Sequence, residues 1–146
     1  MISFCSVRLL LDTDVVVAAM RSPRGASAEL LRRIDSGKAT MVLSVALALE
    51  YEATCMLAEH RLAGGLTQAD VGSFLDGLIA MAEPVTSYFR WRPQLHDPGD
   101  ELVLEAAVNG RASAIVTFNE KHLRDAKRIF GIDVIRPGEA LRRIEL

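Results

Sequence analysis

Short apolar runs alternate with amphipathic stretches along this chain of 146 residues, and the alternation is its clearest organising signal. Val7 to Leu11 is a short apolar run, broken only by Arg8, ending in Asp12-Thr13-Asp14, the pattern of a buried strand. Arg21-Ser22-Pro23-Arg24-Gly25 interrupts the next segment, and Ala28, Leu30, Leu31 and Ile34 then recur at helical spacing until Gly37, predicting a helix near 26–36. Met41-Val42-Leu43 reads as a second strand, with Ser44 as N-cap of a long helix running toward His60. Gly64-Gly65 ends that helix, and Thr67-Gln68-Ala69-Asp70 has the capping-box pattern for another, whose apolar face is Val71, Phe74, Leu75, Leu78 and Ile79.

Pro84 and the turn-rich stretch through Pro93 interrupt the regular elements. Asp97-Pro98 then reads as an N-cap followed by proline at the first helical position, with Leu102, Val103, Ala106 and Ala107 as the inward stripe and Asn109-Gly110 as the stop. A third strand at Ala114-Ile115-Val116 runs into Thr117-Phe118-Asn119. A helix from Glu120 to Ile129, a strand at Asp133-Val134-Ile135 and a terminal helix from Pro137-Gly138-Glu139 complete the series. The fold class is α/β: a mostly parallel sheet of about five short strands with helices on both faces, binding its ligand at the carboxyl ends of the strands.

Composition narrows the class. Half of the residues are hydrophobic, ample for one core, so the expectation is one compact domain over residues 1–146. Basic and acidic residues number 17 and 19, a net charge of −2, so any polyanion has to be gripped by a local patch. Cys5 and Cys55 have no paired spacing, which argues against a disulfide framework or zinc site. Val15 to Met20 is too short to cross a bilayer, and the chain reads as soluble and cytoplasmic, with no membrane partner.

Acidic residues recur where strands give way to helices. Asp12 follows the first strand and serves as N-cap or ligand with equal plausibility; Asp14 can cap the same helix and free Asp12. Glu50 and Glu52 lie about 200° apart around a helix, so only one of them can face a given site, and local pattern does not choose between them. Asp97 is explained as a cap, and Asp100 less completely so, because Asp97 and Glu101 already serve that turn. Asn119 reads locally as an N-cap, with Thr117 able to assist it.

Together these segments resemble the PIN-domain ribonucleases, particularly the VapC-like toxins of type II toxin–antitoxin pairs. The matching segments, in order, are Asp12-Thr13-Asp14, Ser44 through Glu50-Tyr51, Asp97-Pro98-Gly99-Asp100 through Ala107, Ile115 to Asn119, and Gly131 to Pro137, spanning Val7 to about Leu141. The resemblance implies that Asp12, Glu50 and Asp100 bind metal, that Asn119 holds the fourth, more variable position, and that Glu52 is a bystander. Asp14 stands where asparagine is usual, and Asn119 where many relatives carry aspartate.

Hard oxygen donors prefer Mg²⁺ or Mn²⁺ to zinc. The implied activity is metal-dependent endonucleolytic RNA cleavage leaving a 5′-phosphate and a 3′-hydroxyl. The implied partners are RNA, a cognate antitoxin and a second copy in a homodimer. Candidate phosphate contacts are Arg21, Arg24, Lys121, His122 and Arg124, with Arg90 and Arg92 interleaved among Tyr88, Phe89 and Trp91. Two rivals stand beside this reading: a catalytically weak or inactive PIN-like module that binds RNA or protein, and a phosphoacceptor domain, which lacks an evident acceptor aspartate and distal lysine.

Overall fold

The computed structural model describes residues 7–86 and 98–145, with Pro98 and Gly99 as backbone. In chain order the elements are β1 (Arg8–Leu11), α1 (Thr13–Arg21), α2 (Ala26–Asp35), β2 (Thr40–Leu43), α3 (Val45–Cys55), α4 (Ala58–Ala63), α5 (Gln68–Met81), β3 (Glu83–Pro84), α6 (Pro98–Asn109), β4 (Ala114–Val116), α7 (Glu120–Phe130), β5 (Asp133–Ile135) and α8 (Pro137–Glu145). The strands form one sheet in the order β3-β2-β1-β4-β5, and all four pairings are parallel. Leu9, Leu10 and Leu11 are completely buried, as are Ile115 and Val116 beside them, which is why these stretches of the central strands are apolar at successive positions.

The strand order has a reversal. From β1 the chain steps outward to β2 and β3, then returns across the sheet to place β4 on the other side of β1, with β5 beyond it. Right-handed crossovers therefore put α1 to α5 on one face and α6 and α7 on the other. The two directions of winding part between β1 and β4, and the crevice opening at their carboxyl ends is where such a sheet accepts a ligand.

Three local readings are corrected. The helix expected to run from Ser44 toward His60 stops at Cys55. Met56 N keeps an ordinary helical bond to Glu52 O at 3.1 Å, Leu57 N takes Thr54 O at 3.2 Å, three residues back, and Leu57 then turns extended (ψ 133°) to open α4. Pro84, read as an interruption, lies in β3, paired with Leu43 of β2. Proline has no N–H to give, and this strand is at the sheet edge, where that loss is tolerated; the pairing is a tertiary event that local sequence does not announce. The first helix begins at Thr13, so Asp12 is its N-cap and Asp14 lies in its first turn, the reverse of freeing Asp12.

Other local signals hold. Ser44 accepts from Leu47 N at 3.1 Å, and Thr67 and Asp70 form a reciprocal capping box at 3.1 and 2.9 Å. On α5, Val71, Leu75 and Leu78 are buried, while Ile79 is turned outward. Asp97 and the segment from Tyr88 to Arg92 lie outside the described residues. No helix among the described residues is long and apolar enough to cross a membrane.

Gly110, after α6, is a point of close approach. A Cβ there would stand 2.9 Å from the Ala106 carbonyl oxygen, 2.9 Å from Val85 Cγ2 and 3.0 Å from Val42 Cγ2. The first neighbour is backbone and cannot swing away, so Gly110→Ala is expected to destabilise the fold by about 1–3 kcal/mol. Urea denaturation of the variant against the parent checks this, and an unchanged midpoint contradicts it.

Candidate active site

The crevice at the β1/β4 reversal is built from the chain that leaves each strand. Asp12 follows Leu11, and its N–H bonds the Val116 carbonyl at 2.9 Å, so the ends of β1 and β4 are held side by side. Asp12 as a residue is only 7% exposed. One oxygen caps α1 by accepting from Thr13 N at 2.8 Å, and the other accepts from the Thr117 hydroxyl at 2.7 Å. Capping and placement at the crevice are therefore not alternatives, because the same bond that caps the helix fixes the carboxylate's direction.

Thr117 is completely buried and links three residues. Its single hydroxyl proton has two carboxylates in range, Asp12 at 2.7 Å and Asp14 at 3.5 Å, and the shorter distance assigns it to Asp12. Its oxygen accepts from Asn119 N at 2.9 Å. Asn119 occupies the N-cap position of α7 but makes no side-chain cap, which corrects the local reading of this residue. Its amide instead donates to Asp14 Oδ2 at 3.1 Å, where Phe118 N also donates at 3.1 Å.

Glu50 enters from α3. The adjoining Tyr51 is completely buried, and its hydroxyl donates to the Leu11 carbonyl, immediately before Asp12. Burial, reinforced by the negative charges of Asp12 and Asp14, keeps this phenol well above its ordinary pKa and so a neutral donor. The tie fixes the rotation of α3 about its axis. Glu50 and Thr54, four residues apart, face the crevice, while Glu52 is exposed and does not line it.

Asp100, in the first turn of α6, supplies the next wall, its side chain 15% exposed and 3.7 Å from His122 Nδ1 on α7. Asp12, Thr13, Asp14, Glu50, Asp100 and Asn119 thus line one cavity of about 400 Å³, together with His60 and His122. Among the basic candidates, Arg21 sits just outside it, with a guanidinium nitrogen 3.1 Å from His60 Nδ1. Arg24, Lys121 and Arg124 are exposed and do not line it.

His60, Thr54 and Val17 are crevice residues that sequence reasoning missed. Thr54 was accessible from its spacing to Glu50. His60 was not, because its position depends on the turn between α3 and α4.

The cavity gathers like charge. Burial, then the charge of Asp12, raises the Asp14 carboxyl to about 6, with the Phe118 N–H partly opposing the shift. Asp14 Oδ1 is buried and has no hydrogen-bond partner among the described residues. A buried carboxylate oxygen left without a donor is costly, and a cation is one way of satisfying it. The donors here are carboxylates, an amide and a hydroxyl, a set that fits a hard divalent ion. Among the described residues no three His, Cys, Asp or Glu side chains already stand in geometry to share one ion.

A family model described as PIN domain matches residues 8–121, which takes in every crevice residue except His122, one position beyond it. Among solved structures, the chain is similar to one from the VapBC2 complex of Rickettsia felis bound to a DNA fragment from their promoter. The two share 16% identity with a TM-score of 0.60 over 88% of this chain and 97% of that one, a likeness of fold. Comparison with curated proteins gives no match.

The Asp14 carboxyl titrates near 6 when folded and at its ordinary 3.8 when exposed. Being raised, it favours folding while protonated, and that contribution is lost as pH rises from about 4 through about 6. In chelator-treated protein, Asp14→Asn is therefore expected to gain stability over the parent at pH 7.5 and to lose that advantage near pH 4. Thermal melts at the two values check it; an equal difference at both contradicts it.

Proposed function

The chain belongs to the PIN-domain family, and on that premise we propose that it is a metal-dependent endoribonuclease, the toxin of a toxin–antitoxin pair. The observation carrying this reading is the convergence of Asp12, Glu50, Asp100 and Asn119, from four separate elements or their flanks, on one crevice at the reversal of strand order. Asp12, Glu50 and Asp100 would hold Mg²⁺ or Mn²⁺, and Asn119 would hold the fourth position. When bound, such an ion supplies charge neutralisation and Lewis acidity toward a phosphodiester.

The chain's own groups do the rest. Thr117 and the Thr13 N–H hold the Asp12 carboxylate in one orientation, so little reorganisation is needed when substrate arrives. His122, 3.7 Å from Asp100 and 64% exposed, stands at the rim where a phosphate enters. Arg21, paired with His60, provides positive charge at the other side, and Arg24 and Lys121 extend it along the exposed surface. This local distribution suits a chain whose overall charge is slightly negative.

An antitoxin and a second copy of this chain are the proposed protein partners. Val45 and Leu49 on α3 and Leu62 on α4 are 76%, 61% and 64% exposed, more apolar surface than solvent contact alone favours. The described structure of VapBC2 with promoter DNA is consistent with a toxin of this fold working beside such a partner.

Divalent-metal titration followed by an RNA cleavage assay tests the activity. Cleavage is expected to require Mg²⁺ or Mn²⁺ and to fall by about 10²-fold or more in Asp12→Ala and in Asp100→Ala. Glu50→Gln is expected to impair it far more than Glu52→Gln. No cleavage at any metal concentration would favour a binding module instead, metal-independent cleavage would overturn the role given to the ion, and equal effects of the two glutamate variants would overturn the role given to Glu50.

A further inference from the structure

We propose that Asp14 delivers the fourth carboxylate to the cation held by Asp12, Glu50 and Asp100, and that Asn119 is the positioning residue that aims it. The inference rests on the metal-dependent reading above and changes the part Asn119 plays within it. It starts from the hydrogen bond between the two side chains, Asn119 Nδ2 to Asp14 Oδ2 at 3.1 Å. An ionised carboxylate only accepts, so the amide must present its nitrogen to Asp14, and the orientation of the amide follows from its partner.

The two Asp14 oxygens are unequally served. Oδ2 receives Asn119 Nδ2 and Phe118 N, both at 3.1 Å, and these donors from the β4–α7 turn fix the plane of the carboxylate. Oδ1 is buried and makes no hydrogen bond among the described residues; the Val15 N–H acts on the carboxylate electrostatically but is bonded to the Asp12 carbonyl at 3.0 Å. Thr117 does not fill the gap: its 3.5 Å approach to Asp14 is to Oδ2, and its proton goes to Asp12 at 2.7 Å. The donors thus leave one oxygen of a crevice-lining carboxylate unsatisfied, and a cation shared with the neighbouring carboxylates supplies what is missing.

Backbone geometry allows this at Asp14 where it forbids it at Glu52. Glu50 and Glu52 both lie within a regular helix, so two residues of separation turn them to different sides. Asp12 is an N-cap in extended conformation (φ −64°, ψ 153°), and the helix begins only after it, so Asp12 and Asp14 line the same cavity despite the same spacing. Asn119 is exposed and neutral, a poorer cation ligand than the half-buried carboxylate it bonds.

The experiment is Mn²⁺ titration of the full chain after chelator treatment, following the loss of the free-ion electron paramagnetic resonance signal, with no RNA present. Asp14→Asn is expected to weaken binding by about 10²-fold and Asn119→Ala by about tenfold, as loss of a ligand and of its orienting partner. The reciprocal exchange, Asp14→Asn with Asn119→Asp, keeps one carboxylate and one amide across the same contact and is expected to recover affinity to within about threefold of the parent, as intact positioning requires.

Parent-like Mn²⁺ affinity in Asp14→Asn would overturn the proposal while leaving the metal-dependent reading intact. Failure of the exchange to recover affinity, with circular dichroism showing the variant folded, would overturn the positioning role. Absence of Mn²⁺ binding by the parent would overturn both readings. Should Asp14→Asn fail to fold, Asn119→Ala decides: an unchanged affinity there sinks the proposal.

Discussion

The contact on which the rest of this structure turns is the 2.7 Å hydrogen bond from Thr117 to Asp12. It crosses the place where the sheet reverses its strand order, joining the chain leaving β1 to the chain leaving β4. Those two exits diverge into helices on opposite faces, and a crevice between diverging helices is useful only if its walls are fixed. The Asp12 N–H to Val116 carbonyl bond holds the backbones, and the hydroxyl holds the carboxylate. Both oxygens of Asp12 have a protein donor, so its direction is set by the fold.

Glu50 is set by a comparable device at longer range. Tyr51 bonds the carbonyl just before Asp12, so α3 is referenced to the end of β1 by the residue adjoining its glutamate. Because the phenol is buried and neutral, the tie persists across the ordinary pH range. The rotation it imposes separates Glu50 from Glu52, two glutamates of similar local surroundings.

Holding carboxylates together has an electrostatic consequence. Asp14 is pushed up to about 6 by burial and by Asp12, and one of its oxygens lacks a donor. Like charge is thus concentrated in the cavity, and perturbed carboxyls of this kind cluster at functional sites. Among the described residues, basic side chains stand at its rim: His122 near Asp100, and Arg21 with His60. The acids thus occupy the middle of the crevice and these groups its edges.

Much of this was legible along the chain. Apolar runs bounded by caps and stops define β1, β2, β4 and β5, because a strand buried on both faces cannot hide its hydrophobicity. Ser44 and the Thr67–Asp70 box mark helix starts through bonds within a few residues. The candidate acids could likewise be named, since each sits where a strand or cap pattern ends. What local sequence could not carry were matters of pairing and rotation. Pro84 became a strand only by lying beside Leu43, His60 reached the crevice through a turn between helices, and Glu50 was separated from Glu52 by a tyrosine bonded to another element. Asn119 shows the division most clearly: its position predicts a cap, yet its amide goes to Asp14, 105 residues away. Sequence by itself determined the elements and the kind of chemistry their ends can offer, because propensity and capping act over a few residues. The tertiary structure alone decided which oxygens face one another, because that depends on bonds between residues the chain keeps far apart.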